Sequence, residues 1–168
     1  MGSIPLFFVW TAVLIFVLHN GEEARGIADW AQKSRSRRFA RWYKTAPFSV
    51  AVTLLSIAFA ALAVWMTIAG GYLASMMFVL SCAAIFANAI IHIGSILVAR
   101  HPLPGVWTAA FLLLPFGAWF GYYLIEHSVF SAHVTLQLLC VGAFLQIPLA
   151  LAALVAGHMM IGVFNRLK

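Results

Sequence analysis

Two stretches of this chain, Phe48 to Ala69 and Val106 to Ile125, are apolar on every helical face and contain no Asp, Glu, Lys or Arg. A surface helix in water keeps one polar side, so segments of this kind have lipid or protein all around them. The rest of the chain points the same way. It has 168 residues with ten basic and four acidic side chains, 8% charged, where a soluble domain averages about 25%. So few charges cannot coat a globule in water. In lipid every backbone N–H and C=O needs an internal partner, which leaves helices or a closed barrel. A barrel alternates polar and apolar residues with period two, and these runs do not. The expected fold is all-α: one polytopic transmembrane domain over residues 1–168, a bundle of about five helices with its N-terminus outside.

A helical span takes roughly 20 residues. The apolar runs place spans at about 4–23, 48–69, 72–100, 106–125 and 134–164. Gly70-Gly71 ends the second. His101-Pro102-Leu103-Pro104-Gly105 breaks the third, because proline removes donors that a helix needs. Glu126-His127-Ser128 precedes the fifth, in which Pro148 is expected to introduce a kink. Cys82 and Cys140 lie in apolar runs with no metal-knuckle or redox spacing, which suits small apolar packing.

Charge position gives orientation. Arg25, Lys33, Arg35, Arg37, Arg38, Arg41 and Lys44 all fall between the first two spans, so this loop is expected on the cytoplasmic side of the inner membrane. Arg100 and the tail with Arg166 and Lys168 then fall on the same side, and Glu126 and His127 outside. No basic residue precedes the first apolar run, which favours an uncleaved span over a signal peptide. The net charge of +6 is concentrated beside a membrane, so anionic lipid headgroups, not nucleic acid, are the expected partner of residues 25–44.

Ionisable groups inside spans are costly and face the bundle interior or a water-filled cavity. The first span ends His19-Asn20-Gly21-Glu22-Glu23, the third contains Asn88 and His92, and the fifth contains His158. Residues three and four apart share a helix face, so His19 lies beside both carboxylates. His92 precedes Arg100 by eight residues and His158 precedes Arg166 by eight, roughly 12 Å at the helical rise. His19 precedes Arg25 by six, roughly 9 Å by the same measure. Three histidines and two carboxylates from three helices thus share a depth, while Glu126, His127 and His133 lie at the other face.

Three imidazoles with one or two carboxylates are a ligand set for a divalent metal, zinc first, with iron or manganese as the other options. With one of Glu22 and Glu23 on the metal, the other is free to move protons. Simpler roles compete. His158 alone suits an interfacial residue, Glu22 and Glu23 can balance the basic loop, and His101 suits a surface position. Asn88 can join two helices or orient His92. Trp10, Trp107, Trp119, Tyr122 and Tyr123 suit interface anchors.

His19-Asn20-Gly21-Glu22-Glu23 reads His-x-x-Glu-Glu and resembles the HXXEE family of small bacterial membrane proteins. The family also has a further histidine and a Tyr-x-Pro-Gly motif. His92 is similar to that histidine. Pro102-Leu103-Pro104-Gly105 is similar to the second motif with Pro in place of Tyr, so this chain has no tyrosine hydroxyl there. The resemblance implies that His19, Glu22, Glu23 and His92 form one site, and it names no reaction. The function expected is a metal-dependent membrane enzyme, a hydrolase of a lipid-like or amphiphilic substrate. Its metal ligands would be His19, His92, His158 and Glu22 or Glu23, with the other carboxylate moving protons. Oxidative chemistry at a two-metal site, a proton-coupled transporter, and a haem-binding electron carrier using His92 and His158 remain as alternatives.

Overall fold

The computed structural model describes residues 3–33, 37–98 and 102–167. Arg35, Arg100, His101 and Lys168, which entered the orientation and site arguments, lie outside the described residues. Five helices are long and apolar enough to cross a membrane. They are α1 (Leu6–Gln32), α3 (Thr45–Ile68), α4 (Gly71–Val98), α5 (Val106–Glu126) and α6 (Ala132–Arg166), with a short α2 (Arg37–Trp42) in the basic loop. Helix α1 runs nine residues past the first apolar run, because Ala24 to Gln32 contains no proline. Glu22 and Glu23 are therefore mid-helix residues, rigidly placed relative to His19.

Helix α5 is not uniform. One α-helical turn, Val106–Thr108, leads into a π-helical turn, Ala109–Leu113, before regular helix resumes at Leu114. Pro115 explains the widening: its ring would meet the carbonyl four residues earlier in a tight helix, and it has no N–H to give. Such turns recur at functional sites. Helix α6 continues through Pro148 over 35 residues, about 52 Å.

Lipid tails are as apolar as leucine, so association of these helices rests on close packing more than on the hydrophobic effect. The core between α1, α3, α4 and α5 is aromatic. Phe59 and Phe78 stack at 5.6 Å between centroids, and Phe8 meets Phe120 at 5.3 Å. Small residues bring α6 onto its neighbours. A Cβ on Gly142 would lie 2.6 Å from the Leu80 carbonyl oxygen on α4, and one on Gly157 would lie 2.1 Å from the Pro47 carbonyl oxygen on α3. The opposite faces, with residues such as Leu14, Ile57 and Phe144, are exposed and apolar, as a lipid-facing surface requires. Cys82 is buried and Cys140 exposed, both as free thiols.

Candidate metal centre

Between α4 and α5 the chain folds back over the second half of α1. Pro104 sits against Gly26, where a Cβ would lie 3.0 Å from the proline ring. Gly105 follows with φ +91°, a conformation that costs residues with a side chain roughly 1–2 kcal/mol. A Cβ there would lie 2.7 Å from Glu23 Cγ, 2.8 Å from His19 Cε1 and 3.1 Å from His92 Cε1. The glycine that reads in the sequence as a helix breaker is the lid of a three-residue cluster.

That cluster is His19, Glu23 and His92. One ligand atom from each lies within 4.8 Å of the others. His92 Nε2 is 2.8 Å from Glu23 Oε1, and His19 Nε2 is 3.6 Å from the same oxygen. The two rings meet edge to face at 4.9 Å. Both histidines are buried, while the Glu23 side chain keeps 14% of its surface exposed. Donor atoms 2.0–2.1 Å from a tetrahedral ion are about 3.3 Å apart, and the spacings from Glu23 Oε1 bracket that value. Two imidazoles and one carboxylate are also the donor chemistry of catalytic zinc. The residues present fit a divalent ion.

Glu22 does something else. Its carboxylate accepts from the Thr108 hydroxyl at 2.6 Å, the Thr108 amide at 2.8 Å and the Trp107 amide at 3.3 Å. It thereby satisfies amides at the start of α5 that have no partner within the helix. The Thr108 hydroxyl, its proton committed, lies 2.9 Å from His19 Nδ1 and accepts from it. This leaves the His19 Nε2 lone pair facing the cluster, the outer support that metal-binding histidines generally have. The adjacent carboxylates thus divide: Glu23 belongs to the cluster and Glu22 anchors α5 and His19.

His158 is not brought to the cluster. Its Nε2 lies 2.7 Å from the Trp42 carbonyl oxygen, and its ring packs against Trp42. The contribution of α6 comes twelve residues earlier. Gln146 Nε2 donates to Asn88 Oδ1 at 2.8 Å, and Asn88 Nδ2 donates to His19 Nε2 at 3.0 Å. Asn88, considered from sequence as an orienter of His92, reaches His19 instead. Its amide holds the lone pair that an ion would take, so it must give way when an ion binds. Glu126, His127 and His133 are exposed near the α5–α6 turn.

Beside the cluster lies a partly open cavity of about 490 Å³, lined by α1, α3, α4 and α6. Glu23, Asn88, His92 and Gln146 line it together with apolar side chains including Phe16, Leu55 and Phe59. Tyr43, outside the spans, also lines it. Burial, and then the charge of Glu23, hold its phenol above the usual tyrosine value, so it stays protonated.

Thr108, Gln146 and the lid role of Gly105 were not anticipated from the sequence. The signal available for Thr108 was a hydroxyl three residues past the Pro104-Gly105 break, at the start of a helix. Gln146 is a polar residue inside an apolar span, which is itself a pointer to the bundle interior.

No curated protein and no solved structure matches the chain. A family model described as a protein of unknown function with HXXEE motif matches residues 10–120, a segment that contains His19, Glu22, Glu23, His92, Gly105 and Thr108. The chain therefore belongs to the HXXEE family, whose name-giving histidine and second glutamate are two of the three residues in the cluster.

Proposed function

We propose that this protein is a metal-dependent membrane enzyme, a hydrolase acting on an amphiphilic substrate, with a divalent ion held by His19, Glu23 and His92. One observation carries the reading: three donor atoms from two helices converge within 4.8 Å at the edge of a 490 Å³ cavity that is otherwise mainly apolar. A divalent ion there would act as a Lewis acid and make bound water more acidic. The chain's own groups supply the rest. Gly105 and Pro104 cover the cluster, Glu22 and Thr108 hold the His19 tautomer, and the Tyr43 phenol stands protonated at the cavity wall. Because its oxygens are engaged at Thr108 and Trp107, Glu22 is assigned a supporting role and not that of a free base.

Zinc suits this donor set. Two histidines and one carboxylate also form the facial set of non-haem iron, the option that admits oxidation. Pairing of His92 with His158 on a haem gains no support from a His158 that bonds the Trp42 carbonyl. In the proposed orientation the basic residues of 25–44 and the C-terminus lie on the cytoplasmic side of the inner membrane, against anionic headgroups, with the N-terminus outside. Cysteine labelling near Arg41 and Ser128 should then report opposite sides.

The test of the function is elemental analysis of purified protein and variants. Wild type and His158→Ala should hold one equivalent of metal, and His92→Ala and Glu23→Gln less than a tenth. These variants should remain helical and monodisperse, since packing and not the cluster holds the helices together. Metal-free wild type that carries protons across vesicle membranes would replace this reading with the transporter, and stoichiometric iron would redirect it to oxidation.

A further inference from the structure

The cluster lies between two helices, and each offers it residues four apart. On α1 these are His19 and Glu23, and on α4 the residue four before His92 is Asn88. Residues at that spacing share a helix face, so the Asn88 amide stands on the same side of α4 as the His92 ring. Glu22 accepts from two amides and from the Thr108 hydroxyl, and Thr108 accepts from His19 Nδ1. His19 Nε2 is therefore an acceptor, and the –NH2 end of Asn88 meets it at 3.0 Å. The other end of the same amide, Oδ1, accepts from Gln146 Nε2 at 2.8 Å.

An ion on His19 Nε2 takes the lone pair that Asn88 now uses, so the amide becomes its neighbour. An –NH2 group has no lone pair for a cation and turns a positive end toward it, whereas the carbonyl oxygen of the same amide is a metal ligand. A half-turn about the last side-chain bond exchanges the two ends and keeps the shape. Asn88 Nδ2 then faces Gln146, which answers with the same half-turn. Gln146 Oε1 has no hydrogen-bond partner among the described residues, so turning it breaks no other bond, and one amide–amide bond replaces another. We propose that Asn88 is a fourth ligand, its amide turning over to present Oδ1 to the ion while Gln146 turns to accept from Nδ2. The inference rests on the metal reading for the ion itself. The spacings fit: Glu23 Oε1 to His92 Nε2, His19 Nε2 to the Asn88 amide, and Glu23 Oε1 to His19 Nε2 are 2.8, 3.0 and 3.6 Å. Donors about 2.0–2.1 Å from a five-coordinate ion are about 2.9 Å apart at right angles and about 3.6 Å apart at 120°. Zinc with four protein donors admits a fifth, so the cavity lined by Glu23, Asn88 and His92 keeps access to the ion.

The test is titration of zinc, and separately of cobalt(II), into the full chain and two variants in detergent. Asn88→Leu keeps the approximate shape and removes both ends of the amide. Loss of a ligand should lower zinc affinity more than about tenfold, at least the cost of losing outer support. An amide that merely competes with the ion for His19 Nε2 gives the opposite sign, tighter binding in Asn88→Leu. Asn88→Asp, as a carboxylate, has no proton to donate to His19 but keeps an oxygen at the ligand position. Its affinity should stay within about threefold of wild type or rise, since carboxylate oxygen also binds divalent ions. A residue that only orients His19 would instead fail equally in both variants. Cobalt(II) reports its donors through its visible absorption, and Asn88→Asp should shift those bands, a readout that stands even where Asn88→Leu does not fold. Tighter binding by Asn88→Leu, equal losses in both variants, or unchanged cobalt bands in Asn88→Asp overturns the inference and leaves the centre of His19, Glu23 and His92 in place. A wild-type protein that takes up neither ion removes the metal reading itself, and this inference with it.

Discussion

The bundle has two interiors that are held by different physics. Around Phe8, Phe59, Phe78, Phe116 and Phe120 the helices meet through aromatic faces and edges, with contacts such as the Phe59–Phe78 stack and no polar partner required. Around His19 the contacts are hydrogen bonds with fixed donors and acceptors, running from Glu22 to Gln146. Aromatic packing is tolerant of direction: losing one ring costs contact area and leaves the neighbours usable. A directional chain has no such tolerance, because one wrong donor reverses or breaks every bond beyond it. The first interior should therefore govern stability, and the second should govern binding.

Gly105→Ala should show the largest effect on binding. Its Cβ would enter the space of Glu23 and His19 at 2.7 and 2.8 Å, in a backbone conformation that already disfavours alanine. Zinc affinity should fall more than a hundredfold in a competition titration, with stability lower by about 2 kcal/mol from backbone strain. An unchanged affinity would show that the lid does not shape the site. Thr108→Val keeps the shape and removes the hydroxyl that sets the His19 tautomer. Loss of such outer support typically costs 10–100-fold in metal affinity, so a change under threefold would mean that Glu22 and Thr108 serve only to cap α5.

Phe78→Ala probes the aromatic interior. Phe78 is fully buried, and its truncation should lower stability by about 3 kcal/mol while zinc affinity stays within twofold. Loss of metal in this variant would merge the two interiors into one. His158→Ala should do least. One hydrogen bond to the Trp42 carbonyl is removed, worth about 1 kcal/mol, with affinity unchanged.

Much of this division could be read in the sequence, and the limits have particular causes. Apolar length gave five spanning helices because lipid leaves the backbone no alternative. Depth counted from Arg25 and Arg100 put His19 and His92 at one level, where they do meet. The same count from Arg166 failed for His158. Helix α6 is about 52 Å long against a hydrocarbon core of about 30 Å, so its last arginine does not mark the boundary. Gln146, about 18 Å nearer the start of α6 at the helical rise, is the residue level with Asn88. Depth also carries no azimuth. Adjacent residues on a helix point about 100° apart, so Glu22 and Glu23 could not both face one ion, and the sequence does not say which one does. The answer depends on Thr108, 86 positions along the chain from Glu22, brought in by a turn whose geometry Gly105 sets.

Calorimetric zinc titration of wild type, Glu22→Gln and Glu23→Gln separates the roles of those two carboxylates. Glu23→Gln should abolish binding at one equivalent, because a cluster donor is lost. Glu22→Gln should keep the one-to-one stoichiometry with affinity reduced 10–100-fold. The reverse order, with binding abolished by Glu22→Gln and retained by Glu23→Gln, would contradict the site described here.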